Sequence, residues 1–316
     1  MATSKTPFRF KPSGSVEGNM HFDKVAAALK NIGKAPKPKD LVAYLLMRHA
    51  KNIERILGVH ISPLHYYSAA PEIHSLNAKV FDKIFDCTGI DWNLARQLEH
   101  CHAIFPKYQE EYAALADASY DLFILYSMIR ERKPGFMVEI GAGGSTRIGL
   151  AALEKNRSEG HDYRLYSIDP NPRDYLREIC NERHLLLEKN VQDIDVESLV
   201  DSDLLFIDSS HVCKIGGDVN YEMLELVPRL KVGALVQWHD IVIPNNYAEQ
   251  WINEGLFFNE SYMLHTFMLF NSAFKIIWAS RYMQIKHPQE TRALFAHLAS
   301  PEPTALNVSF WVERTA

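Results

Sequence analysis

After Pro134-Gly135 the chain falls into a rhythm of short apolar runs and segments of helical period. FMVEIGAG, RLYSIDPN, HLLLEKN, LLFIDSS and ALVQWHDI read as strands, each running out into glycine or polar residues. Between them STRIGLAALEKN, PRDYLREICNER and DVNYEMLELVPRL carry apolar residues at helical spacing. Strand and helix in alternation imply right-handed crossovers and a mostly parallel sheet covered on both faces. FKIIWAS (Phe274–Ser280) and NVSFWVER (Asn307–Arg314) add two late strands, expected to close one edge as an antiparallel pair. The pattern predicts an α/β fold with a seven-stranded sheet.

Upstream the period is helical. DLVAYLLMRHAKNIERIL, Asp40 to Leu57, predicts a helix with Asp40 as its N-cap. LADASYDLFILYSMIRERK, Leu115 to Lys133, predicts another whose cationic end suits the helix dipole. The aromatic, proline-bounded segment Pro63–Ile73 reads as a loop between them. The expected organisation is an arm over residues 1–20, a helical N-terminal cap over 21–133 and an α/β domain over 134–316.

Composition narrows the partners. Lys plus Arg is 34 against 39 for Asp plus Glu, a net charge of −5, so the basic footprint of a nucleic-acid binder is missing. No run approaches a membrane span and the first residues lack a signal peptide's apolar core. The four cysteines include no CxxC pair, so a reducing compartment is expected, and the chain is read as cytoplasmic. The cap's apolar helices have a face to spare; a homodimer through it is compatible with the pattern, which does not decide it.

In a parallel sheet ligands bind where strands end at the carboxyl edge. The residues found there are Glu139, Gly141, Gly143, Ser145, Asp169, Asp193, Asp208, His211, His239 and Asp240. A glycine turn lets backbone approach a ligand, and the helix after it offers free N–H groups. The dinucleotide fingerprint GxGxxG is not met, because position 146 is Thr. Glu139 would also repel a pyrophosphate brought to that turn. Asp169 is well placed to accept two ribose hydroxyls, so the ligand implied has a ribose without needing phosphate.

EIGAG, SIDPNP, HYYSAAPEI, LLFIDSSHVCKIGGDVNYEMLELVPRLKVGALVQWHDI and FNESYMLHTFMLFNSAFKIIWAS together resemble the class I S-adenosylmethionine-dependent methyltransferases, and most closely a bacterial small-molecule group among them. The resemblance covers most of the chain. It implies a Rossmann-like sheet on which Gly141, Gly143 and Ser145 contact the methionine portion of S-adenosylmethionine, Asp169 the ribose and Asp193 the adenine amino group, with Glu139 and Asp208 also among the residues that hold the cofactor. HYYSAAPEI departs from the HYYSPIP form by a lost proline. Asp208, His211, His239 and Asp240 are expected to face the methyl acceptor, with Tyr66, Tyr67 and Trp238 as lid or substrate residues.

His239 has two readings. It can act as a general base, since an ordinary imidazole titrates near neutrality. Alternatively Asp208, His239 and Asp240 can hold one divalent ion, as the resemblance to metal-dependent O-methyltransferases implies. The expected reaction is methyl transfer to oxygen or nitrogen of a small molecule, carbon being less favoured. Two alternatives stand beside it: a nicotinamide-dependent oxidoreductase, and a non-catalytic interaction protein on the same fold.

Overall fold

The computed structural model describes residues 38–61, 68–298 and 308–316. Residues 1–20 and the expected lid tyrosines Tyr66 and Tyr67 lie outside them. The chain divides into two compact units, the second running Ile73–Ala316. Among the described residues of the first, a helix, α1, spans Pro38–Leu57, which puts Asp40 inside its first turn and not at the N-cap.

The second unit holds the sheet. Its strands are β1 Phe136–Ile140, β2 Arg164–Ile168, β3 His184–Leu187, β4 Leu204–Ile207, β5 Leu235–Trp238, β6 Phe274–Ala279 and β7 Phe310–Arg314. They lie in the order β3-β2-β1-β4-β5-β7-β6, parallel except that β7 runs antiparallel to both β5 and β6. All seven expected strands are present, and the late pair does close one edge.

The sheet is buried on both faces because each strand alternates. Phe136, Val138 and Ile140 of β1 join one apolar cluster with Ile207, Val236 and Leu226, while Met137 joins a second on the opposite face. That second face is covered by α2, Tyr120–Arg132, and α3, Gly144–Ser158, through Phe123, Ile129, Ile148 and Leu153. Helices between Ile73 and Lys133 thus pack with the sheet itself.

The helix α2 starts five residues later than the pattern predicts. Asp117 intervenes: its carboxylate accepts from Ser119 N (2.8 Å) and from Tyr112 OH (2.6 Å), stabilising a turn. Ser119 then caps the helix, its Oγ accepting from Leu122 N at 3.3 Å. Among the described residues no helix is long and apolar enough to cross a membrane.

Candidate active site

Strand register aligns one row of residues across the carboxyl edge. Ile140 pairs with Ile168 and with Ile207, and Ile207 with Trp238. The next residue of each strand is Gly141, Asp169, Asp208 or His239. Their N–H groups extend the ladder by one step: Gly141 to Ile168 O (2.8 Å), Asp169 to Leu187 O (3.1 Å), Asp208 to Ile140 O (2.8 Å) and His239 to Ile207 O (2.9 Å). These N–H groups are therefore spent on the sheet, and the side chains of Asp169, Asp208 and His239 are left to line the edge.

Two cavities open here, of about 290 and about 380 Å³. The first is walled by Ile168, Asn190, Val191, Gln192, Ser210 and Lys214; the second by Ser119, Leu122, Ala142 to Ser145, Arg173 and His239. They share Gly141, Asp169 and Asp208. Gly141 sits at φ +80°, and a Cβ there would stand 1.8 Å from the carbonyl oxygen of Asp208. Gly143 is different: its backbone is extended and a Cβ would meet nothing within 4 Å.

The turn's N–H groups are already engaged, Ala142 on Asp169 Oδ2 (3.1 Å) and Gly143 on Thr146 Oγ1 (3.0 Å). Those of Gly144 and Ser145, in the first helical turn of α3, are the ones a ligand can take. Asp169 also accepts from Asn171 N at 2.7 Å, which fixes its carboxylate at the seam of the two cavities.

Residues 138–241 match the family model described as a methyltransferase domain. This segment is similar to a methyltransferase domain. The match runs from the middle of β1 to just past β5 and agrees with the expected class of enzyme. No curated protein matches the chain. Among solved structures, the chain is similar to the plantazolicin methyltransferase BpumL in complex with a monoazolic desmethylPZN analog and SAH, at 12% identity, 71% of this chain and 96% of that one, TM-score 0.36. It is also similar to an SAH-bound Podospora anserina methyltransferase, PaMTH1 (13%, 82% and 100%, 0.34), and to a Geobacter sulfurreducens methyltransferase (15%, 72% and 98%, 0.37). At such scores these likenesses carry no weight beside the family match.

Three of the expected contacts lie elsewhere than the sequence suggests. Glu139 lines neither cavity; it is wholly buried beneath the turn and accepts from Ser145 Oγ (2.8 Å), Thr146 Oγ1 (2.7 Å) and Ser167 Oγ (2.8 Å). It anchors α3 to the sheet. Asp193 points back into its own turn, accepting from Asn190 Nδ2 at 2.9 Å, and the cavity wall is made by Asn190, Val191 and Gln192 instead. Trp238 is 0% exposed and packs toward Phe267, a core residue and not a substrate contact. Strand alternation explains this: Trp238 points into the sheet face, whereas His239 emerges past its end.

The four residues expected to face the acceptor split into two layers. Asp208 and His239 line the second cavity; His211 and Asp240 line neither and stand behind them. Both of the latter have positive φ, +58° and +54°, a costly backbone conformation that gathers at functional sites. His211 Nε2 lies 3.2 Å from Asp208 Oδ1 and 3.5 Å from Asp240 Oδ2, and its Nδ1 2.9 Å from Glu260 Oε2. His239 Nδ1 is 3.3 Å from Asp240 Oδ1 and 3.6 Å from Asp208 Oδ1. Ligand atoms of Asp208, His211 and Asp240 all fall within 4.8 Å of one another; among the described residues the group that could hold an ion thus contains His211, where the sequence points to His239.

Charge follows geometry. Burial lowers both imidazoles, but hydrogen bonds to Asp208 and Glu260 outweigh it and carry His211 up to about 10. For His239 burial is outweighed by Asp240 and Asp208, which carry it up to about 9. At neutral pH the carboxylates thus hold both rings protonated.

Glu139 gives a separate pH signature. Burial pushes its carboxyl up to about 7, the three hydroxyl donors opposing. The native state therefore keeps a proton that the unfolded chain releases at lower pH. This contribution is fully present below the unfolded value and is lost as pH rises through about 7. Stability should fall by about 2–3 kcal/mol between about pH 5 and about pH 8 from this group alone. Urea unfolding of wild type and Glu139→Gln at both pH values checks it: the variant should lack that slope, and identical slopes would refute it.

Proposed function

We propose that the domain takes its methyl group from S-adenosylmethionine and passes it to an oxygen or nitrogen of a small molecule in the cytoplasm, carbon being the less favoured acceptor. The observation that carries this is the pair of cavities sharing Gly141, Asp169 and Asp208. A ligand with adenosine in the first cavity and an amino-acid tail in the second would cross at Asp169, whose carboxylate is set to receive ribose hydroxyls. Asp169 and Asp208 at that crossing disfavour a pyrophosphate, which weakens the nicotinamide alternative.

When bound, S-adenosylmethionine supplies an already activated methyl group, so the chain's task is alignment and proton removal. Gly144 and Ser145 N–H groups suit a carboxylate at the tail. Asp208 stands where the tail meets the acceptor. Positive charge brought to Asp208 offsets the field that keeps His239 protonated and returns it toward its ordinary range, where it can take the acceptor's proton.

A second reading adds a divalent ion on Asp208, His211 and Asp240. It is favoured by their convergence within 4.8 Å and by Glu260 behind His211, the usual support of a ligating imidazole. In that case the ion would orient an acceptor hydroxyl and lower its pKa.

Thermal unfolding with S-adenosylmethionine, S-adenosylhomocysteine or NADH tests the main reading. The first two should raise Tm and NADH should not. Stabilisation by NADH alone, or by none of the three, would refute it. Manganese titrated into the S-adenosylhomocysteine complex and followed by electron paramagnetic resonance tests the second reading; no bound signal would remove it.

A further inference from the structure

The three residues that follow Asp208 are each held by a carboxylate from elsewhere. Ser209 Oγ donates to Glu222 Oε2 (3.1 Å), and Ser210 donates through N–H (3.0 Å) and Oγ (2.6 Å) to Asp218. His211 Nδ1 meets Glu260 Oε2 at 2.9 Å, a partner 49 residues downstream. Glu260 opens the helix α4, Glu260–Met268, and the chain entering that helix wraps the histidine. Phe258 places its ring 4.7 Å from the imidazole, Asn259 and Glu260 donate N–H to His211 O (3.0 and 3.2 Å), and Asn259 Oδ1 accepts from Cys213 N (2.6 Å).

Three carboxylates surround this one ring. A carboxylate only accepts, so each contact is favourable only where the imidazole carries a proton or shares a cation. The contact with Glu260 is the shortest and the most buried, with side-chain exposures of 7% and 1%. Among the described residues it is also the one hydrogen bond made by the Glu260 carboxylate, whose Oε1 has no partner. Breaking it would leave a buried carboxylate without a donor.

We propose that Glu260 is a positioning residue of the active site, accepting the Nδ1 proton of His211 and so presenting Nε2 to Asp208 and Asp240. This rests on reading Asp208 as the junction of cofactor and acceptor, and it holds whether Nε2 donates to Asp208 or ligates an ion. The proton stays on Nδ1 either way, leaving one nitrogen to serve the site. The segment 258–260 thereby becomes part of the active site although it lies outside the matched domain.

The test is long-range proton–nitrogen NMR on the full chain labelled with 15N-histidine, His211→Gln identifying the resonance. Wild type should show a slowly exchanging proton on His211 Nδ1. Glu260→Ala should lose it or speed its exchange by about tenfold or more, as expected for a lost hydrogen bond to a charged group. Glu260→Gln, which keeps an accepting oxygen, should retain it. An Nδ1 without a proton in wild type, or equal protection in Glu260→Ala, overturns the proposal. If Glu260→Ala fails to fold, loss of the resonance in a folded Glu260→Gln overturns it. Thermal stabilisation by S-adenosylmethionine is read on the same samples: its absence in wild type removes the proposed function, while the Nδ1 result decides Glu260 independently.

Discussion

Gly141→Ala should lose about 4 kcal/mol or more of stability and with it the cofactor site. Two costs add. At φ +80° an L side chain is strained by about 1–3 kcal/mol. The new Cβ would also sit 1.8 Å from Asp208 O, which is backbone and cannot rotate away. Asp208 N is itself tied to Ile140 O at 2.8 Å, so relief requires β1 and β4 to part at their carboxyl ends. That is where the two cavities join. Tm should fall by about 8 °C or more, and affinity for S-adenosylhomocysteine should collapse. Gly143→Ala is the control: with extended backbone and open space around its Cβ it should stay within about 1 kcal/mol of wild type. Equal losses in the two variants, by urea unfolding and calorimetry, would refute the packing argument.

The same contrast shows what a sequence can and cannot reveal. Alternating apolar runs were enough for all seven strands, because period and burial are local properties that survive into the fold. Gly141, Asp169, Asp208 and His239 were legible because each is the first residue past a strand, and register then places them in a row. Side-chain direction was less legible. Glu139 and Trp238 are strand residues, one or two positions short of the edge, and the pleat buries both. Asp193 lies in a turn where neighbouring residues compete, and Asn190 captures its carboxylate. Glu260 left no mark: an acid in the first turn of FNESYMLH reads as an ordinary complement to the helix dipole. Its partner is 49 residues away, and only tertiary packing brings His211 to it. For the same reason the residue pattern pointed to His239 as companion of Asp208 and Asp240, while the buried imidazole at the point of convergence is His211.

Asp169→Ala should weaken S-adenosylhomocysteine binding by about 10² to 10⁴ while leaving the fold intact. In the native chain the carboxylate is pre-set, since Oδ2 accepts from Ala142 N (3.1 Å) and Oδ1 from Asn171 N (2.7 Å). Each oxygen keeps a lone pair for the cavities that Asp169 lines. Two hydrogen bonds from ribose hydroxyls to a charged acceptor are each worth about 1.5–3 kcal/mol, and every 1.4 kcal/mol is tenfold in affinity. The two N–H groups released by the substitution lie at a half-open cavity, where water can satisfy them, so the cost to stability should stay near 1 kcal/mol. Asp169→Asn separates charge from shape: it keeps one accepting oxygen but turns an amide toward either Ala142 N–H or Asn171 N–H, and should bind weakly too. Isothermal titration with the three proteins decides the matter. A dissociation constant for Asp169→Ala within about threefold of wild type would mean that no ribose rests on this carboxylate, and the ligand would have to cross the sheet edge elsewhere.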